Sequence, residues 1–313
     1  MIYHVFANRS NIGDWLSAKA IQKLLAPAVV TECLCDVPYI EETMEVLSKA
    51  GGEDLIIIGG GGLLMDYFVP FWEAFKPISQ QVPFCIWGVG CCDLKMEVSL
   101  APSALMEEIV AQSKVCYVRD ELSRAYLSHC QLPPPVPCPS INLIHPATSP
   151  GTDLLHVVNY STAGADVYEI MCTSARQFAA EKGVTYRETN NRVRKNSTGE
   201  MDRVLSLYKG SGIVLSSALH GCILAVAMGL KVLAVSGDRK IEAFMEAVGL
   251  GDWVLDQKEV HLIPDRLERI CSQAKPEATL NSIRQKNVAI ADRIRSIMPG
   301  HPHNNLIPVA GAE

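Results

Sequence analysis

The chain has 313 residues, 48% of them hydrophobic, enough to bury two medium-sized cores rather than one. Its formal net charge of −6 is spread along the chain without a basic stripe, which excludes nucleic acid and anionic membrane surfaces as partners. Eleven cysteines lie mostly inside apolar runs, with no C-x-x-C pair or His-rich spacing, so a reducing cytoplasm is expected and no metal centre.

The opening MIYHVFA reads as a strand and lacks the charged and apolar regions of a secretion signal. Residues 11–25 keep Leu16, Ala20, Ile21, Leu24 and Leu25 at helical spacing. DLIIIGG and PFCIWGVG are short apolar runs ending in glycine, the pattern of strands buried on both faces of a parallel sheet, and KVCYVRD follows as another. Strands separated by helices need crossovers, so this half reads as a doubly wound α/β unit.

LPPPVPCPS, residues 132–140, carries five prolines in nine positions and reads as a stiff linker. It divides the chain into units 1–138 and 139–313. After it the alternation restarts, with strands at LLHVVNY, VTYRETN, GIVLSS and KVLAVSGD and helices over 166–182, over 202–209 and through Met228. The longest apolar tract, 213–235, contains Ser216, Ser217, His220, Gly229 and Lys231, which suits a buried strand, helix and strand and is costly in lipid. No transmembrane span is expected. Residues 276–298 place Leu280, Ile283, Asn287, Ile290, Ile294 and Ile297 on one face of a terminal amphipathic helix, which should pack on one or both units.

Ligands of open α/β sheets bind beyond the carboxyl ends of the strands. There the sequence places Asn11, Gly13 and Asp14, then the quartet Gly59 to Gly62, then Gly88 and Gly90, Arg119 with Asp120, His220, and Ser236 to Lys240. Glycines admit a close ligand, and a helix start favours an anion. Each feature also has a plain structural reading: a tight turn for the quartet, a first helical turn for Asp14, a local ion pair or cap for Arg119 and Asp120, a satisfied core histidine for His220. Neither glycine cluster completes G-x-G-x-x-G, which disfavours a nicotinamide cofactor. The polar segment 188–202, with Arg192 and Arg194, suits a surface loop that closes over anions.

Taken together, NIGD, IIIGGGG, WGVG, YVRDELS, SSALHGCILAVAMGL and VLAVSGDRKIEAFMEAVGL resemble, in order, the bacterial polysaccharide pyruvyl transferases, over residues 11 to about 250. The resemblance implies two Rossmann-like domains facing a cleft, as in GT-B glycosyltransferases. The implied reaction moves a pyruvyl group from phosphoenolpyruvate, as co-substrate, onto hydroxyls of a sugar as a ketal, with no other cofactor and no metal. The acceptor, free or lipid-linked, would belong to a glycan or its precursor, as in exopolysaccharide biosynthesis, in the cytoplasm; a homo-oligomer is compatible with the sequence.

On this resemblance His220 and Arg119 are the catalytic residues. Ser217, Gly221, Arg239 and Lys240 would bind the donor from the second unit, and Asn11, Gly13, Asp14, Gly60, Gly61 and Gly62 the acceptor from the first. Many members carry Ser-x-Arg-Leu-His where this chain has Ala218, so other cations must hold the phosphate. Two further readings stand beside it: a nucleotide-sugar glycosyltransferase and a non-catalytic sugar- or nucleotide-binding module.

Overall fold

The computed structural model describes residues 1–95, 100–146, 149, 151–194, 198–274 and 280–298. The first unit holds strands β1 (Ile2–Phe6), β2 (Val30–Leu34), β3 (Leu55–Gly61), β4 (Phe84–Val89) and β5 (Val115–Val118). They form one parallel sheet in the order β2-β1-β3-β4-β5. Helices α1 (Ile12–Leu25), α2 (Ile40–Leu47), α3 (Val69–Ser79), α4 (Ser103–Val110) and α5 (Glu121–Tyr126) follow the strands in turn.

The second unit repeats the plan with β6 (Asp153–Val157), β7 (Tyr186–Thr189), β8 (Ser211–Ser216), β9 (Lys231–Ser236) and β10 (Val254–Asp256), a parallel sheet ordered β10-β9-β8-β6-β7. Its helices are α6 (Ala165–Lys182), α7 (Thr198–Lys209), α8 (Leu219–Met228), α9 (Arg239–Ala247) and α10 (Ile263–Ser272). The protein is thus an α/β fold of two Rossmann-like units facing a cleft.

Burial explains the patterns. Every residue of β1, β3 and β4 is buried, so these strands are apolar without alternation. Every residue of α8 is buried too, so LHGCILAVAM lacks a polar stripe, and it stops at Gly229, whose φ of 81° is left-handed. The sequence pattern does not reveal β2 and β10. VTECL of β2 buries only Cys33 on a sheet edge, and β10 has three residues. Helix α7 begins at Thr198, four residues before the expected start, and residues 195–197 of the expected loop lie outside the described residues.

The last helix, α11 (Leu280–Ser296), joins the units. Leu280 and Ile283 belong to the core around α8, whereas Ile290, Ala291 and Ile294 pack with Ile21, Leu55 and Trp87 of the first unit. Between them the buried Asn287 accepts from Trp87 Nε1 at 3.1 Å and donates to the Pro137 carbonyl at 3.2 Å. The expected division attached this helix to the second unit, but its apolar face is long enough to serve both.

Candidate functional site

The strand order reverses between β1 and β3 in the first sheet and between β6 and β8 in the second. Loops leaving the strands diverge at such a point and open a crevice. The two crevices face each other across a cavity of about 440 Å³, lined from the first unit by Asn11, Asp14, Gly62 and Arg119 and from the second by Arg192, Ala218, His220 and Lys240. A larger, open hollow of about 840 Å³ lies along the edge strand β5, near Lys114, Tyr117 and Arg293. The strand ends do not converge on that hollow, and the smaller cavity is the candidate site.

Local structure positions the first unit's residues. Asn11 caps α1, its Oδ1 accepting from the Gly13 amide at 3.0 Å, which fixes Gly13 and Asp14 in the first turn. The His220 ring occupies the space over Gly13, where a Cβ would stand 2.0 Å from Nδ1. Gly60 and Gly61 have φ of +86° and +110°, and a Cβ on Gly61 would stand 2.9 Å from Asp14 Oδ1. Gly13 thus makes room for His220 and Gly61 for Asp14, while a Cβ on Gly60 would stand 2.7 Å from Ser17 Cβ.

Two cations flank them, Arg119 buried and Lys240 partly so. Arg119 donates to Asp120 Oδ2 at 3.2 Å and to the Cys91 carbonyl at 2.7 Å, while Asp120 also caps α5 through the Ser123 amide. Burial opposes its charge, and Asp120 more than restores it, so the guanidinium stays protonated. Lys240, near the start of α9, has Asp238 Oδ2 at 2.5 Å and Cys92 Sγ at 3.1 Å. Burial opposes its charge as well, and Cys92 and Asp238 hold its pKa above the ordinary range.

The same environment drives two titratable groups in opposite directions. Desolvation pushes the Asp14 carboxyl up to about 6, with Arg119 and Lys240 pulling it partly back. Desolvation and then those two cations lower His220 to about 3, so its imidazole is neutral; its Nε2 lies 3.7 Å from Cys138 Sγ. Of the two, Asp14 is the closer to its titration point at neutral pH.

Contacts between the units close the cavity on two sides. On one, the Ile12 amide donates to the Asn191 carbonyl at 3.1 Å and the Val193 amide to the Ser10 carbonyl at 2.8 Å. On the other, Arg239 Nη1 pairs with Asp93 Oδ2 at 3.0 Å, and Lys95 reaches Glu242 and, at 2.5 Å, Asp256.

The sequence matches the polysaccharide pyruvyl transferase family over residues 11–239. The chain belongs to that family. No curated protein matches it in sequence. Among solved structures, S. aureus MnaA with UDP is similar in fold, with TM-score 0.63 and 11% identity, covering 98% of this chain and 97% of that one. The Methanocaldococcus jannaschii UDP-GlcNAc 2-epimerase, in complex with UDP-GlcNAc and UDP, gives 0.53 and 8% over 93% and 99%. The Neisseria meningitidis UDP-GlcNAc 2-epimerase bound to UDP-GlcNAc gives 0.51 and 13% over 94% and 99%. At such identities the likeness concerns the fold alone. No helix among the described residues is long and apolar enough to cross a membrane.

For this pyruvyl transferase family member, the structure sorts the residues that the sequence singled out. Asn11, Asp14, Gly62, Arg119, His220 and Lys240 line one cavity. Gly13, Gly60 and Gly61 stand behind it as spacers. Ser217, Gly221 and Arg239, expected in the donor set, do not line the cavity. The Ser217 hydroxyl accepts from the Asn159 amide, a Cβ on Gly221 would stand 2.1 Å from Ser216 Oγ, and Arg239 turns to Asp93. Of the two loop arginines, Arg192 lines the cavity and Arg194 does not. The sequence reading missed Cys92 and Tyr67, which also line it, because they lie several residues beyond their strand ends.

Proposed function

We propose that this family member transfers the pyruvyl group of phosphoenolpyruvate to two hydroxyls of a sugar, forming a cyclic ketal. The observation that carries the reading is the pairing of buried Arg119 and partly buried Lys240 with Asp14 and His220 in one cavity between the two switch points. Two fixed cations suit a small, highly charged phosphate and carboxylate donor. They also take the place of the arginine absent at Ala218.

The chemistry needs a proton on the donor's methylene carbon, attack of one hydroxyl on the adjoining carbon, and attack of a second hydroxyl with loss of phosphate. Asp14 supplies the first proton. A bound anion screens Arg119 and Lys240, the groups that lower the Asp14 pKa, so donor binding favours the protonated acid. The resulting carboxylate takes the proton of the first hydroxyl and regenerates the acid. His220, a neutral imidazole, accepts the second hydroxyl proton and passes it to the departing phosphate. The proton count closes without another cofactor.

The test is incubation with phosphoenolpyruvate and a panel of hexosides and nucleotide- or lipid-linked sugars. Phosphate release matched by a pyruvyl mass gain on the sugar supports the reading. Transfer from a nucleotide sugar with no response to phosphoenolpyruvate overturns it in favour of a glycosyltransferase.

A further inference from the structure

A second cluster of reactive side chains lies away from the cleft, where β6, α6 and β7 meet. His156 on β6 is fully buried, Cys172 on α6 is nearly so, and Glu188 on β7 keeps 27% of its side chain exposed. His156 Nδ1 is 3.8 Å from Cys172 Sγ and 3.8 Å from Glu188 Oε2, and Sγ is 3.5 Å from Oε2. The two longer separations exceed those of strong hydrogen bonds. They match the edges of a coordination polyhedron: one ion equidistant from the three atoms sits about 2.1 Å from each, close to the zinc distances for imidazole, thiolate and carboxylate.

The surroundings complete such a site. Tyr186 Oη stands 3.1 Å from His156 Nδ1, 2.6 Å from Glu188 Oε2 and 3.7 Å from Cys172 Sγ, at the fourth corner. Tyr168 donates to the other Glu188 oxygen at 3.0 Å and orients the carboxylate from outside. One thiolate and one carboxylate balance a divalent charge, which removes the main penalty for burying the ion. The exposed flank of Glu188 gives it a way in.

We infer that His156, Cys172 and Glu188 form a binding site for a divalent transition metal of borderline softness, with zinc the natural occupant. Mixed nitrogen, sulfur and oxygen donors select that class over calcium or magnesium. Binding replaces the thiol proton of Cys172, which passes to solvent, and involves no redox step. The site is structural: Glu188 lies one residue before the end of β7, and the chain then runs directly into Asn190, Asn191 and Arg192, which line the cleft. An ion tying β7 to β6 and α6 anchors that loop from behind. The expectation of no metal rested on ligand spacing along the chain, and here the donors arrive from three separate elements.

The experiment uses the full chain, stripped with a chelator and titrated with Co²⁺ and then Zn²⁺. One equivalent of Co²⁺ should bind with a near-ultraviolet thiolate-to-cobalt absorption, Zn²⁺ should displace it, and Zn²⁺ should raise the melting temperature. Cys172→Ser should abolish the absorption, whereas Cys271→Ser, at an exposed thiol, should keep it. If Cys172→Ser fails to fold, Glu188→Gln is the second variant, with Co²⁺ affinity at least tenfold weaker. Absence of the absorption in the parent, its persistence in folded Cys172→Ser, or unchanged affinity in Glu188→Gln overturns the site and leaves only a hydrogen-bonded cluster bridged by Tyr186.

Discussion

His220 of α8 and Gly13 of α1 are complementary: the imidazole fills the space that a side chain at position 13 would need, with 2.0 Å between a Cβ there and Nδ1. The glycine is thus where the second unit's histidine docks on the first unit. Helix propensity alone favours alanine over glycine by up to about 1 kcal/mol. Against that small gain, a Cβ 2.0 Å from Nδ1 forces the buried ring aside, so Gly13→Ala should lower stability by about 1–3 kcal/mol, as overpacking does, and lose at least about tenfold of turnover, the lower range for a misplaced catalytic group. Melting curves and steady-state rates check it, and parental turnover would show that the placement of His220 is immaterial.

Asp14 should govern the pH profile. Its carboxyl titrates at about 6 in the free protein, and the proposed chemistry requires the protonated form, so kcat/KM should fall as pH rises through that value. Asp14→Asn should lose on the order of 10²- to 10⁴-fold of turnover, the usual scale for acid–base catalysis, and the limb should vanish from what activity is left. A limb that persists in Asp14→Asn assigns it to another group.

For His220 the structure changes the expectation. A histidine at its ordinary value would give a limb near 6.5, but burial and the flanking cations lower this one to about 3. His220→Gln should lose on the order of 10²-fold of turnover while the limb near 6 stays, because that limb belongs to Asp14. If the limb disappears with His220 instead, the two roles are exchanged.

The units, their parallel sheets and most strand ends were legible in the sequence because fully buried strands write themselves as continuous apolar runs. Arg119, Lys240, Asp14 and His220 followed from those strand ends. The direction each side chain takes was not legible. Ser217, Gly221 and Arg239 occupy equally promising positions, yet Ser217 turns to the Asn159 amide, Gly221 packs closely against Ser216, and Arg239 turns to Asp93. Nor does local sequence carry the raised pKa of Asp14, which depends on burial shared with residues more than a hundred positions away. His156, Cys172 and Glu188 follow one another at intervals of sixteen residues and meet only because β7 pairs in register with β6 and α6 packs on both strands.

Ala218 marks the place where an arginine would enter the donor site. It lines the cavity at the N-cap of α8, with extended backbone at φ −114° and ψ 132° that any side chain adopts. Ala218→Arg should lower the KM for phosphoenolpyruvate by about tenfold or more with little change in melting temperature, since a charge-assisted hydrogen bond is worth roughly 1.5–3 kcal/mol. A lower melting temperature with unchanged KM would instead identify a packed position with no phosphate beside it.

Acid stability separates the buried groups without any assay of activity. His4 sits in the core beside β3, with Nε2 3.3 Å from the Gly59 carbonyl and Nδ1 3.3 Å from Gln22 Nε2, an arrangement that suits the neutral ring. Desolvation lowers its pKa from 6.5 to about 4, despite the Gly59 contact and the nearby Glu32, while Lys19 adds to the lowering. Below pH 6.5 the unfolded chain therefore binds a proton that the folded chain refuses, and this part of the stability is lost as pH falls from 6.5 towards 4. Asp14 has the opposite sign: raised from 3.8 to about 6, it binds its proton in the folded state first, so its contribution is full in acid and lost as pH rises through that window. Between about pH 4.5 and 6 one group steepens the acid loss and the other offsets it, each by up to about 1.4 kcal/mol per pH unit for a full proton. Against the parent, Asp14→Asn should steepen the fall of unfolding free energy with acid over that interval, and His4→Gln should flatten it. Denaturant melts at a series of pH values measure both slopes, and parallel curves for all three proteins would mean that neither group changes its protonation on unfolding.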